Sequence, residues 1–217
     1  MNSVSYGSFM YADDIILLAP SVTELNNMVK ICCDELQAIN LKLNTQKSCC
    51  LRIGKSHFIN CSNIPTIHGH IPWAKEVKYL GLTLISGCRF KISFANTKCK
   101  FYSCFNELYS KMGRALDLSV IVHLLQTIAM PILLYSLESL HLNKSEINSL
   151  EFTLSRALYK IFKVSGTENI KFCMKAYGID GINECIVKKS SAFLHKFGNI
   201  VNVNINNLFL GLNLSSR

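Results

Sequence analysis

Three groups of residues have the types and spacing that chemistry would need. Asp13 and Asp14 stand side by side between the short runs Ser8-Phe9-Met10 and Ile15-Ile16-Leu17-Leu18-Ala19. Apolar runs flanking a polar pair predict two strands joined by a tight turn. Two carboxylates held in such a hairpin repel each other. A divalent cation relieves that repulsion, and Mg²⁺ prefers hard oxygen ligands. Asp is also a favoured turn residue, so an ordinary surface turn is the plain alternative, and these residues alone leave it open. Lys47, in Asn44-Thr45-Gln46-Lys47, is either a solvated surface charge or a cation approaching a phosphate leaving group. His68-Gly69-His70 near Cys61 offers two imidazoles that could share a strand face. A plain loop or hairpin is the better reading, because the ten cysteines include no Cys-x-x-Cys.

The elements that must position these groups follow from periodicity. Ser21-Val22-Thr23-Glu24, directly after Pro20, has capping-box spacing. Leu25, Met28, Val29, Cys32, Leu36 and Ile39 then form one helical stripe, ending near Asn40, a residue that tolerates left-handed helix ends. This stripe is expected to lie against the sheet carrying the acid pair. Leu41-Lys42-Leu43-Asn44 reads as a short strand, and Ser48 to Ile53 as another, stopped by Gly54. Phe58 to Cys61 and Thr66 to Trp73 read as short extended pieces around Pro65, Gly69 and Pro72. Val77 to Ile85 predicts a single strand in which Gly81 marks a bulge or a close backbone approach.

Beyond Gly87 the pattern changes from strands to helices, and a domain boundary is placed near residue 90. Ser93 can cap a helix with the stripe Phe94, Phe101, Cys104, Phe105, Leu108 and Met112, its other faces carrying Lys98, Lys100 and Lys111. Ser119 opens a second helix that Pro131 should kink. A third, from about Ser145, turns Ile147, Leu150, Leu154, Leu158 and Ile161 inward, with Arg156, Lys160 and Lys163 on other faces. Together these predict a small bundle. Residues 167–177 and 183–197 read as helical, with Gly178 and Gly198 as stops. The Asn-rich tail from Asn199 offers little beyond Leu208-Phe209-Leu210 and is expected to be loosely held.

Composition bounds the possibilities. With 217 residues, 49% hydrophobic and 17% charged, the chain can bury a sizeable core and is not of disordered type. Its net charge of +9 is uneven: residues 1–85 carry 7 Lys/Arg against 6 Asp/Glu, residues 86–217 carry 16 against 8. A near-neutral half bearing the acid pair, followed by a basic half, suits a polyanionic partner. Ten cysteines and no signal-peptide pattern point to reduced thiols and an intracellular setting, cytoplasm or nucleus. Val120 to Leu142 has no formal charge before Glu138, but His123, Gln126 and Pro131 interrupt it. A buried helix is the better reading than a span, and no membrane partner is expected.

These residues also carry a family likeness. Tyr11-Ala12-Asp13-Asp14 in a hairpin resembles the catalytic motif of reverse transcriptases. The capped helix followed by Leu41-Lys42-Leu43-Asn44-Thr45-Gln46-Lys47-Ser48 resembles the next motif of the non-LTR (LINE-type) retrotransposon enzymes. Lys78-Tyr79-Leu80-Gly81 resembles the strand at their primer grip, and the helices around Leu133-Leu134-Tyr135 resemble their thumb. The motifs keep the family's order over roughly residues 5–165.

The resemblance implies an α+β fold. Residues 1–90 would be the C-terminal part of a polymerase palm, an antiparallel hairpin and small sheet with a packed helix. Residues 91–165 would be an all-helical thumb-like bundle, and 166–217 a helical extension and tail. It implies templated DNA synthesis by the two-metal route on an RNA or DNA template-primer with dNTP, using Mg²⁺ or Mn²⁺. On this resemblance Asp13 is a metal ligand, and Asp14 a second ligand or electrostatic support. Lys47 protonates or neutralises pyrophosphate. Tyr11 and Ala12 line the primer terminus, Tyr79, Leu80 and Gly81 position the primer, and Lys98 and Lys100 hold duplex phosphates. The family also needs a metal-binding aspartate on a strand N-terminal to the hairpin, plus fingers, and no acid precedes Asp13 here. The expectation is therefore a palm-and-thumb fragment, inactive alone, whose metal site is complete only if an upstream half supplies the ligand. Two other readings stand beside it: a non-catalytic nucleic-acid-binding module using the basic helical half, and a relic whose uncovered apolar surface promotes association.

Overall fold

The computed structural model describes residues 7–112 and 117–198, an α+β chain that divides into two compact units, one up to Phe94 and one from Ala95. The tail from Asn199 and the side chain of Met112 lie outside the described residues.

In the first unit, β1 (Gly7–Tyr11) and β2 (Asp14–Leu18) form an antiparallel hairpin, followed by helix α1 (Val22–Ala38). The Ser21 hydroxyl accepts the Glu24 N–H at 3.2 Å and donates to the Glu24 carboxylate at 2.8 Å, so the expected cap forms. At the far end Asn40 takes φ 59°. The Asn40 N–H donates to the Gln37 carbonyl at 3.0 Å and the Leu41 N–H to the Leu36 carbonyl at 2.8 Å. That is the Schellman pattern, with asparagine in the place glycine usually takes. Because this turn carries the chain off the apolar face, Ile39 is exposed instead of closing the stripe. Val29 and Cys33 are the buried positions of α1. With Cys50, Ile64 and Ile71 they make the core on which Leu17, Leu25, Leu43 and Trp73 rest. Leu17 thus ties the hairpin to α1.

The run Ile15 to Ala19 is not buried as a block. Ile15 and Leu18, on opposite faces of the two-stranded sheet, are exposed, and of this run Leu17 is the residue packed against the core. Residues 41–44 form no strand. The Asn44 side chain accepts the N–H groups of Gln46 at 3.1 Å and Lys47 at 3.2 Å, an Asx turn that competes with extended pairing. The strand expected over 48–53 shrinks to β3 (Cys50–Leu51), parallel to β6 (Trp73–Ala74), plus a bridge from Ile53 to Gly87. Residues 58–61 are a turn and its exit, not an extended piece. Between them β4 (Ile64–Thr66) and β5 (Gly69–Ile71) pair as a hairpin. The single strand expected over 77–85 is also a hairpin: β7 (Glu76–Tyr79) turns at Leu80-Gly81 into β8 (Leu82–Ile85), which then pairs with β9 (Lys91–Ser93). Leu80 at φ 45° and Gly81 at φ 84° give the two positive values a type I′ turn needs.

The second unit is helical: α2 (Ala95–Met112), α3 (Leu118–Leu124), a π-helical turn (Leu125–Ala129), α4 (Met130–Leu133), a 3-10 turn (Leu137–Ser139), α5 (Lys144–Phe162), α6 (Thr167–Ala176) and α7 (Ile182–Gly198). Ser93 ends β9 two residues before α2, and Ser119 is the second residue of α3 rather than its opening. Asp117 caps α3, accepting the Ser119 N–H at 3.2 Å. Pro131 is the second residue of α4, which begins where the π-helical turn ends, so its missing N–H falls where the ordinary helical ladder is already interrupted. Asn143 and Glu146 close a capping box at 2.9 Å each way and start α5 one residue before the expected point. Leu150, Leu154, Leu158 and Ile161 are buried as the periodicity predicts, and α5 touches α2, α3, α6 and α7. Ile121, Leu125, Ala129 and Leu133 are buried in the same core. Among the described residues no helix is long and apolar enough to cross a membrane.

Candidate active site

The acid pair sits where the first hairpin reverses. Tyr11 faces Asp14 in the register, leaving Ala12-Asp13 as a two-residue turn. Ala12 adopts φ 50°, a left-handed conformation that stores about 1–3 kcal/mol in a non-glycine residue. The small methyl of alanine limits that cost. Asp14 lies on the same sheet face as Tyr11, Phe9 and Ile16, while Asp13 projects from the turn itself. Both aspartates are exposed, and none of the ion pairs among the described residues uses them. Two free carboxylates on a short, fixed turn suit a hard cation that keeps most of its water and takes one or two protein carboxylates plus substrate phosphates. Among the described residues no cluster of three or more His, Cys, Asp or Glu side chains assembles. The chain's fit to Mg²⁺ is therefore that of a partial ligand set.

The other sequence candidates fall in separate places. Lys47 is exposed at the end of the Asn44 turn, and no hydrogen bond or ion pair among the described residues joins it to Asp13 or Asp14. Tyr79 closes β7, paired with Leu82, and Leu80-Gly81 make the turn into β8 rather than continuing the strand. Lys98 and Lys100 belong to α2 in the second unit, where the Lys98 ammonium is bonded to the Ser149 hydroxyl. His68-Gly69-His70 forms the turn and first residues of β5. The Thr66 hydroxyl donates to the Gly69 carbonyl at 2.7 Å, an ordinary hairpin with no ligand cluster. Burial pushes the Cys50 thiol up to about 11, which makes it a poor thiolate ligand at neutral pH. A cavity of about 260 Å³ beside the π-helical turn, lined in part by Gln126, Pro131, Asp180 and Lys189, contains none of the sequence candidates.

One residue escaped the sequence reading altogether. Arg52 stacks on Trp73 and binds the backbone of the following loop, a contact across twenty-one positions that no local spacing advertises.

Residues 5–84 match the family described as Reverse transcriptase (RNA-dependent DNA polymerase). The match covers 80 of the 217 residues (84 − 5 + 1) and includes the acid hairpin, α1, the Lys47 turn and the β7–β8 turn. It supports a reverse-transcriptase-type polymerase domain over that segment. Neither a curated protein nor a solved structure matches the chain.

Proposed function

We propose that the chain is a palm-and-thumb portion of a reverse transcriptase of the non-LTR, LINE type, in which Asp13 and Asp14 contribute ligands for Mg²⁺ or Mn²⁺. The observation that carries this reading is the place of the acid pair: at a strained two-residue hairpin turn, inside the segment that matches the reverse-transcriptase family. Bound there, the cation supplies charge neutralisation and Lewis acidity for nucleotidyl transfer from dNTP to a primer 3′-hydroxyl. The rest falls to the chain's own side chains. Asp13 and Asp14 hold their carboxylates at a fixed spacing. Ala12 leaves room for the primer backbone, and Tyr11 lines its terminus. Tyr79, Leu80 and Gly81 position the primer strand, and Lys47 meets the pyrophosphate. Lys98 and Lys100 meet duplex phosphates.

Two carboxylates are fewer than a pair of bridged cations needs, and no third acid joins them among the described residues. The reaction then requires a further carboxylate from elsewhere, and this chain alone is inactive. The test is Mg²⁺-dependent extension of a primed RNA template by the purified chain and by Asp13→Asn. No extension by either is expected. Extension that Asp13→Asn abolishes would keep the metal role and overturn the incomplete ligand set. Extension indifferent to Asp13→Asn would overturn the assignment of the acid pair.

The alternative of a binding module built on the helical half draws less support. Lys111, Lys171 and Lys188 are paired with Glu107, Glu168 and Asp180, and Lys160 is bonded to Asn106 and lies over Phe105 and Tyr109. Charges already answered within the unit have less to offer a polyanion.

A further inference from the structure

Residues 53–59 and 86–91 are far apart in sequence and joined at their bases. Ile53 forms a parallel bridge with Gly87, and the Gly54 N–H donates to the Gly87 carbonyl at 2.8 Å. The Ser86 hydroxyl donates to the Arg52 carbonyl at 2.7 Å, and the Cys88 sulfur lies 3.6 Å from His57 Nδ1. Arg52 fixes the first loop from beneath. Its Nη1 donates to the carbonyls of Ser56 at 3.3 Å and Ile59 at 2.8 Å, and its Nη2 donates to the Cys61 sulfur. The guanidinium lies 4.7 Å from the centroid of the Trp73 ring, and Trp73 Nε1 donates to the Ser62 carbonyl at 3.0 Å. Only a planar fork of donors can stack and bond in this way at once. A loop held so firmly has little entropy left to lose on binding.

What the two loops display is unusual for a solvated surface. Phe58 is 74% exposed and Phe90 59% exposed, with Ile53 and Ile59 exposed beside them in sequence. Lys55, Arg89 and Lys91 are interleaved with them, exposed and in none of the ion pairs among the described residues. Neither loop contains an acid. Between Glu35 and Glu107 the chain has one acidic residue, Glu76, against ten Lys and Arg. Exposed rings interleaved with unanswered cations suit unpaired bases, whose faces stack on the aromatics while their phosphates meet the cations. A lipid surface would use the same apolar side chains. The choice of nucleic acid rests on the reverse-transcriptase match over residues 5–84.

We propose that Phe58 and Phe90, with Lys55, Arg89 and Lys91, form a platform for single-stranded RNA or DNA, positioned by Arg52. It acts without metal and without reading base identity, because every base offers a face to stack on.

The experiment is fluorescence anisotropy of labelled oligouridylate with the full chain in EDTA, so that no metal-dependent contact at Asp13 and Asp14 contributes. Phe58→Ala and Phe90→Ala are each expected to weaken binding about tenfold. Phe58→Trp is expected to retain it, and Ile31→Ala, an exposed apolar residue of α1, to leave it unchanged. The log–log salt slope from the three cations is about −2, shrinking by about 0.7 in Lys55→Gln. Arg52→Met should weaken binding although it removes no displayed side chain, and Arg52→Lys should not rescue it. Wild-type affinity in the Phe58→Ala/Phe90→Ala double variant would overturn the proposal. So would binding to mixed phosphatidylserine–phosphatidylcholine vesicles in place of the oligonucleotide. Either failure leaves the catalytic reading to its own test, primer extension with Asp13→Asn.

Discussion

The β1–β2 and β7–β8 hairpins solve the same problem with different residues. Both reverse in two residues, and both place a non-glycine residue at positive φ in the first turn position, Ala12 at 50° and Leu80 at 45°. The second hairpin follows Leu80 with Gly81, and β9 pairs along β8. The first follows Ala12 with an aspartate and has no third strand among the described residues. Its flanks stay open to solvent, with Met10 74% and Tyr11 63% exposed. A hairpin tuned for stability would take the glycine and the extra strand. The one bearing both carboxylates has neither among the described residues.

Substitutions can break or sharpen this contrast. The largest effect is expected from Ile64→Ala, which hollows the small core that Leu17 uses to hold the first hairpin. About 3 kcal/mol should be lost, read as a lower urea midpoint. Gly81→Ala forces a methyl group into a φ of 84° and should cost about 1–2 kcal/mol in the same measurement. Ala12→Gly should act in the opposite sense. Relief of the left-handed alanine outweighs the extra freedom of the unfolded chain, for a gain of at most about 1 kcal/mol. Equal signs for Gly81→Ala and Ala12→Gly would break the comparison. Met10→Lys should move stability by less than about 0.5 kcal/mol and still reduce concentration-dependent association in sedimentation velocity. The exposed apolar strand it interrupts has one edge unpaired among the described residues.

The sequence revealed this arrangement unevenly. The acid hairpin, the Ser21 cap, the Asn40 helix end and the inward face of α5 were legible because each is written in a few adjacent residues or a fixed period. The β7–β8 reversal was not. Val77 to Ile85 reads as one continuous β-prone run, and a tight two-residue turn leaves no polar gap to announce itself. The Asn44 turn was hidden by the alternation of Leu41 to Leu43, which local side-chain bonding overrides. Arg52 was invisible because its meaning depends on Trp73 and on backbone carbonyls, which only the folded chain brings to it. At the site itself, residue types announced the carboxylates. Their exposure needed coordinates.

The central claim is that the first hairpin's turn holds a divalent cation through Asp13 and Asp14. Paramagnetic broadening of backbone amide resonances by Mn²⁺ tests it without any catalytic turnover. Selective loss of the Tyr11 to Ile15 signals, reversed by excess Mg²⁺ and absent in Asp13→Asn/Asp14→Asn, is the predicted result. Unbroadened signals at that turn, or broadening that survives the double substitution, would contradict it.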